Sequence, residues 1–229
     1  MPNMQVKIEF LLDSPIIITK PLHLDALLLA IADERAGGGF IPGMAHYPIP
    51  VVIDGGSGIY RCSQLLWEGT QFEDRIIQHQ KTLFRTNNQD VFQENDIIQS
   101  IPRKKRSELE GKHPFKPKMD AITARWIPQV FFLAETDDLP ALTDMAHEIP
   151  ALGKWSRKGY GTVRETRISV LAEDTDPWIH PDGQRPARAL PVDLWATRYG
   201  HMEQQQRLGH RNTRPPYFLS GEREICVIP

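Results

Sequence analysis

Within twelve residues, Leu152-Gly153-Lys154-Trp155-Ser156-Arg157-Lys158-Gly159-Tyr160-Gly161-Thr162-Val163, the chain gathers three glycines, three cations and two aromatic rings. Glycine lets the main chain approach a ligand closely and turn several N–H groups toward an anion. Lys154, Arg157 and Lys158 suit phosphate, Trp155 and Tyr160 suit stacking on bases, and Ser156 adds a hydroxyl. Taken together the segment is chemically complete as an RNA clamp; the competing reading is a flexible connection with incidental charges. No G-K-[ST] closes the loop, so it is not a P-loop. A dinucleotide fingerprint requires G-x-G-x-x-G between a strand and a helix, whereas here a helix precedes the loop and a strand follows it.

A second basic segment, RKKRSELEGKHPFKPK at 103–118, holds Arg103, Lys104, Lys105, Arg106, Lys112, Lys116 and Lys118 against Glu108 and Glu110, an excess of five positive charges. In a chain whose net charge is only −2, such a loop suits a finger that tracks a nucleic-acid backbone. The alternative is a solvated loop. From Arg198 to Arg214 a third stretch carries Arg198, Arg207, Arg211, Arg214, His201 and His210 against Glu203. It fits a second RNA contact, a surface for neighbouring subunits, or an exposed basic tail equally well.

The histidines bear on catalysis. Metal-free RNA cleavage needs a general base that helps a 2′-OH attack the adjacent phosphate. His23, His46 (beside Tyr47) and His113 (after Lys112) are the candidate bases. None sits at a spacing that demands catalysis, and the bland reading of each is a structural or exposed ring. No HxxxH or HxD cluster suggests a metal, and the acidic residues form no two-metal set. No cofactor is expected.

These groups need a scaffold. Met4–Leu12 alternates, with Val6, Ile8, Phe10 and Leu12 to one side, as a half-buried strand does. Leu24, Leu27, Leu28 and Ile31 follow helical spacing up to Gly37–Gly39, which end the helix. Ile49–Ile53 and Ile59–Ser63 flank Asp54-Gly55-Gly56-Ser57-Gly58, the pattern of two strands joined by a glycine-rich turn. The stretch from Trp67 to Ser100 fits either element type. Val130–Ala134 reads as an apolar strand, and Asp137 or Asp138 caps a helix buried through Leu139, Leu142, Met145 and Ile149. A last strand runs roughly from Thr162 to Leu171.

The order matches an α+β, ferredoxin-like (RRM-like) βαββαβ core. It is expected to span 1–172 with a basic insertion at about 64–127, followed by a smaller, irregular, proline-rich extension over 173–229. Two well-separated cysteines, Cys62 and Cys226, argue against a disulfide framework or thiolate zinc. The absence of a signal pattern, and of any apolar run near the roughly 18 residues of a spanning helix, makes a cytoplasmic protein without membrane contact the expectation.

The loop resembles that of the RAMP superfamily of CRISPR-associated proteins, of form h-G-x5-G-x-G-x-h before the last strand of the domain. Leu152, Gly153, Gly159, Gly161 and Val163 fill the pattern without a gap. PLHLDALLLAIA and the hairpin around IPVVIDGGSGIYRCS are similar to the subfamily that caps the five-prime handle of a guide RNA, in particular its type IV homologue. The likeness covers 4–63 and 128–171, about half the chain. It implies a noncatalytic RNA-binding subunit of a ribonucleoprotein effector complex in antiviral defence. The implied partners are the guide RNA and other effector subunits, especially the backbone-forming one, with target DNA or RNA met only through the complex. The alternatives are a metal-independent endoribonuclease processing CRISPR transcripts, using His23, His46 or His113, and a protein–protein scaffold.

Overall fold

The computed structural model describes residues 3–38, 47–68, 74–81, 118–200, 206–215, 217 and 223–229. They fall into two compact units, one formed by Met1–Glu73 with Trp126–Pro229 and the other by Asp74–Arg125. The described residues form helices and antiparallel sheets, an α+β architecture.

The first unit is built on β1 (Met4–Leu12), which pairs antiparallel with β4 (Gln129–Thr136) on one side and β5 (Val163–Val170) on the other. The alternation of β1 has the expected result, with Val6, Ile8 and Phe10 fully buried and Leu12 at 3% exposure. Val130 to Ala134 of β4 are all buried, because both faces of this strand are covered. Beyond β4 the chain at 61–66 runs antiparallel to it, through bridges Cys62–Ala134 and Leu66–Phe131. The amides of Ser63 and Leu66 donate to the carbonyls of Leu133 and Phe131 at 2.8 and 2.9 Å.

Two helices cover one face of this sheet. α1 (Leu24–Arg35) and α2 (Leu139–His147) deliver Leu24, Leu28, Ile31, Leu142, Met145 and Ala146 to the core that also holds Val6, Ile8 and Phe10. Of the two aspartates preceding α2, Asp138 is the cap, its carboxylate accepting from the Ala141 amide at 3.0 Å. Asp138→Ala should therefore lower the unfolding free energy by about 1 kcal/mol, read as a shift of the urea midpoint at unchanged slope.

Residues 49–63 depart from two regular strands. Only Ile53 and Tyr60 bridge across the turn, while the Asp54 carboxylate accepts from the Ser57 amide and hydroxyl at 2.9 and 2.7 Å. Both sides of the turn also bond to β4: Arg61 donates its amide to Val52 O at 2.7 Å but accepts from the Glu135 amide at 2.8 Å, and the Val52 amide donates to Glu135 O at 2.9 Å.

The expectation of irregular chain after Glu173 is corrected. β6 (Leu190–Pro191), α3 (Val192–Tyr199), β7 (Arg207–Arg211) and β8 (Glu224–Ile228) follow, and the strands form an antiparallel sheet in the order β6-β8-β7. Trp178, Leu190, Trp195 and Val227 pack with Ile59 into a core of their own. Many of the prolines sit in the connections between these elements, as at Pro177, Pro181 and Pro186, where no ladder bond is required.

In the second unit β2 (Asp74–Lys81) and β3 (Lys118–Arg125) pair antiparallel, from Asp74 opposite Arg125 to Lys81 opposite Lys118. Among the described residues no helix is long and apolar enough to cross a membrane, and Cys62 and Cys226 are free and buried.

Candidate functional site

The glycine loop emerges from α2 and is shut at its base. Leu152, fully buried, donates its amide to Gly161 O at 2.8 Å, and Val163 donates to Pro150 O at 3.0 Å. It is also fastened to the chain leaving β1. Lys154 N donates to Ile17 O (2.8 Å), Gly161 N to Pro15 O (2.9 Å) and Thr162 N to the Ser14 hydroxyl (2.8 Å). Two glycines make this approach possible. A Cβ at Gly153 would lie 2.6 Å from Ile17 O, and one at Gly161 would overlap the Leu152 carbonyl oxygen outright.

Between the anchors, Ser156–Lys158 form one turn of 3-10 helix. The amides of Lys158 and Gly159 donate to Trp155 O and Ser156 O at 2.8 and 2.9 Å, and Tyr160 N reaches Trp155 O at 3.4 Å. The amides of Lys154, Lys158, Gly159, Tyr160, Gly161 and Thr162 are thus bonded within the protein. Toward solvent the loop exposes the side chains of Lys154, Ser156, Arg157 and Lys158. Trp155 and Tyr160 are half-buried, their ring centres 6.1 Å apart and tilted by 51°. The ammonium groups of Lys158 and Lys154 lie 4.5 and 5.7 Å from the Trp155 ring centre.

The other candidates are distributed elsewhere. Arg103, Lys104, Lys105, Arg106, Lys112 and Lys116, with His46, His113, His201 and Glu203, lie outside the described residues. Lys118 opens β3. His23 precedes the first turn of α1, is 6% exposed, and stacks on Tyr217 with ring centres 4.2 Å apart. Burial, and then the Arg188 charge, hold its pKa well below the ordinary histidine value, so the ring is neutral.

The C-terminal arginines divide into two kinds. Arg198 pairs with Asp54 (3.2 Å) and Asp176 (3.6 Å) against the Trp178 ring, and Arg214 donates to Ser57 O (2.9 Å) and pairs with Glu224 (3.1 Å). Both clasp the 54–58 turn. Arg207 and Arg211 lie exposed along β7, beside His210.

The residues that sequence reasoning missed form a buried polar cluster. Arg188 is wholly inaccessible and its guanidinium donates to Tyr60 O (2.9 Å), Cys62 O (3.1 Å), Thr213 O (2.9 Å) and the Tyr217 hydroxyl (2.8 Å). That hydroxyl in turn donates to Asp25, itself fully buried and 3.6 Å from Arg188. Burial drives the Tyr217 hydroxyl far above its usual pKa and keeps it a donor at any ordinary pH. The run Pro186-Ala187-Arg188-Ala189-Leu190, an arginine among small and apolar neighbours, is the one sequence signal of this role. A second buried arginine, Arg61, lies 3.0 Å from both Glu135 and Asp176 and stacks on Trp178 at 4.5 Å.

The loop thus sets exposed cations and two half-buried rings on an α+β core, its backbone bonded to the chain leaving β1. The model of one protein family, CRISPR type IV associated protein Csf3, matches residues 4–229. The chain therefore belongs to that family and is a type IV CRISPR-associated protein, of a kind that fits antiviral defence. Among curated proteins none matches it.

Proposed function

We propose that this chain is a noncatalytic RNA-binding subunit of a type IV CRISPR effector complex, and that it holds the five-prime handle of the guide RNA on the loop Gly153–Gly161. One observation carries the reading. Three cations and two aromatic rings occupy one loop whose backbone is fixed from both sides, so ligand binding need not order it. Lys154, Arg157 and Lys158 would meet successive phosphates and an aromatic ring an unstacked base, the usual division of labour on single strands. The basic segment Arg103–Lys118 would follow the strand onward, and the backbone-forming subunit and the rest of the guide would complete the assembly. Target DNA or RNA would be met only through that complex.

The fold supports a place in the RAMP superfamily. The lateral order 61–66, β4, β1, β5, all antiparallel, with α1 after β1 and α2 after β4, supports reading the core as a ferredoxin-like βαββαβ domain. RRM domains read RNA with aromatic rings on the open sheet face. Here that face carries Lys7 paired with Glu9 at 2.9 Å and Glu165 paired with Arg167 at 2.6 Å, and Phe131 is 1% exposed beneath Leu66 and Ala187. This favours the loop over the sheet as the RNA surface. The burial of His23 and its stacking on Tyr217 favour binding over cleavage by that residue, since a general base must reach the hydroxyl it deprotonates.

The test uses labelled CRISPR repeat RNA in EDTA, run on native and denaturing gels in parallel. A shift without cleavage is expected. Changing Lys154, Arg157 and Lys158 together to glutamate should abolish the shift at moderate salt and flatten the salt slope by about 2, three contacts at about 0.7 each. Discrete cut products would replace this reading with an endoribonuclease. An unaltered shift in the triple variant would move the RNA off the loop, and no shift in the wild type would favour a scaffold subunit.

A further inference from the structure

Among the described residues Trp155 is the one non-glycine position with a left-handed backbone, at φ 63° and ψ 28°. A bulky side chain is disfavoured there, and such a conformation persists where the surroundings over-determine it, often at a ligand site. The surroundings are the loop anchors, Lys154 N on Ile17 O before Trp155 and Gly161 N on Pro15 O after it. The ring is half-buried, and the ammonium groups of two exposed lysines lie over it.

An ammonium over an indole occupies the same π face that a nucleobase would use. We infer that Trp155 is the stacking platform for one unpaired base of single-stranded RNA. In the free protein Lys158, with Lys154, occupies the ring; when the base arrives, Lys158 gives up the indole and pairs with the adjoining phosphate. This rests on the RNA-binding reading of the loop and deepens it, because it separates a base subsite from the phosphate contacts and assigns it to one ring. It also sets the ligand class. A duplex or a bare polyphosphate supplies anions but no free base, and so engages the cations while leaving the Trp155 subsite empty.

The backbone strain makes the experiment discriminating. Glycine adopts φ 63° without penalty, so Trp155→Gly removes the ring while easing the main chain. Binding of the wild type and of Trp155→Gly would be measured with a uridine oligonucleotide and with an abasic oligonucleotide of equal length, at one salt concentration. The expected result is a loss of about tenfold or more for the uridine oligonucleotide, the size of base–aromatic stacking. Affinity for the abasic strand should stay unchanged, and the melting temperature should hold or rise. Trp155→Phe, which keeps a ring, should retain most of the uridine affinity. Should Trp155→Gly fold poorly, Trp155→Asn serves in its place, because asparagine also tolerates this conformation.

Equal weakening toward both strands would make Trp155 a positioning residue and overturn the proposal. So would a variant that binds the uridine strand as tightly as the wild type. Wild-type protein that binds neither strand would remove the RNA reading of the loop itself, and the stacking subsite with it.

Discussion

Gly161→Ala should be among the most damaging single-methyl changes in the chain, lowering the unfolding free energy by about 2–5 kcal/mol. Two independent costs add. The position lies at φ 64°, where a side chain is disfavoured by about 1–2 kcal/mol. The new Cβ would also overlap Leu152 O, with the carbonyl carbon 3.0 Å away, and relieving that overlap shifts backbone at about 1–3 kcal/mol. Leu152 cannot retreat freely, since its side chain is fully buried and its amide is bonded to Gly161 O. Gly159 provides the control. Its φ is 84° but a methyl group there would meet nothing within 4 Å, so Gly159→Ala should show the conformational cost alone. Chemical denaturation of the pair checks this, and equal losses in the two variants would refute the close packing of the loop base.

Arg188→Met should be comparably severe, at about 3–5 kcal/mol, because it strands a buried carboxylate and several buried acceptors. The melting temperature would fall by roughly 6–20 °C, at about 2–4 °C per kcal/mol for a chain of this size. Methionine fills most of the arginine's volume, so the loss reports unsatisfied polarity more than a cavity. What is left behind is Asp25, the carbonyls of Tyr60, Cys62 and Thr213, and the Tyr217 hydroxyl. Adding Asp25→Asn to Arg188→Met should recover part of the loss, since an uncharged amide is less costly to bury alone. A double-mutant cycle in urea measures that coupling. Strict additivity of the two changes would show that Asp25 and Arg188 do not act as a unit.

Local pattern made much of the first unit legible. β1 was readable end to end because strict alternation has one explanation when a single face is buried, and α1 stops at Arg35, just before the glycines. The glycine loop stood out because its residue types are informative at short range. What stayed hidden depends on contacts between distant residues. β2 and β3 are polar strands, DRIIQHQK and KMDAITAR, with little apolar alternation to reveal them. The second core draws Ile59, Trp178, Leu190, Trp195 and Val227 from widely separated positions, leaving no periodic trace in any window.

Arg188 was hidden for a different reason. Residue type assigns arginine to the surface, and only the convergence of Tyr60, Cys62, Thr213 and Tyr217 makes its burial tolerable. The glycine spacing of the loop likewise could not show that the amides of Lys154, Gly159 and Gly161 are bonded within the protein.

The pairing of Asp74 with Arg125 places the two ends of the second unit side by side, about 5 Å apart as facing residues of an antiparallel ladder are. An excursion that returns to its own starting point makes no demand on the span between its neighbours. Because the ladder already holds Asp74 beside Arg125, the number of residues between Lys81 and Lys118 can change without altering the separation of those two ends. Selection can lengthen, shorten or recharge that excursion from one member of the family to the next while β1, β4 and the glycine loop keep their geometry.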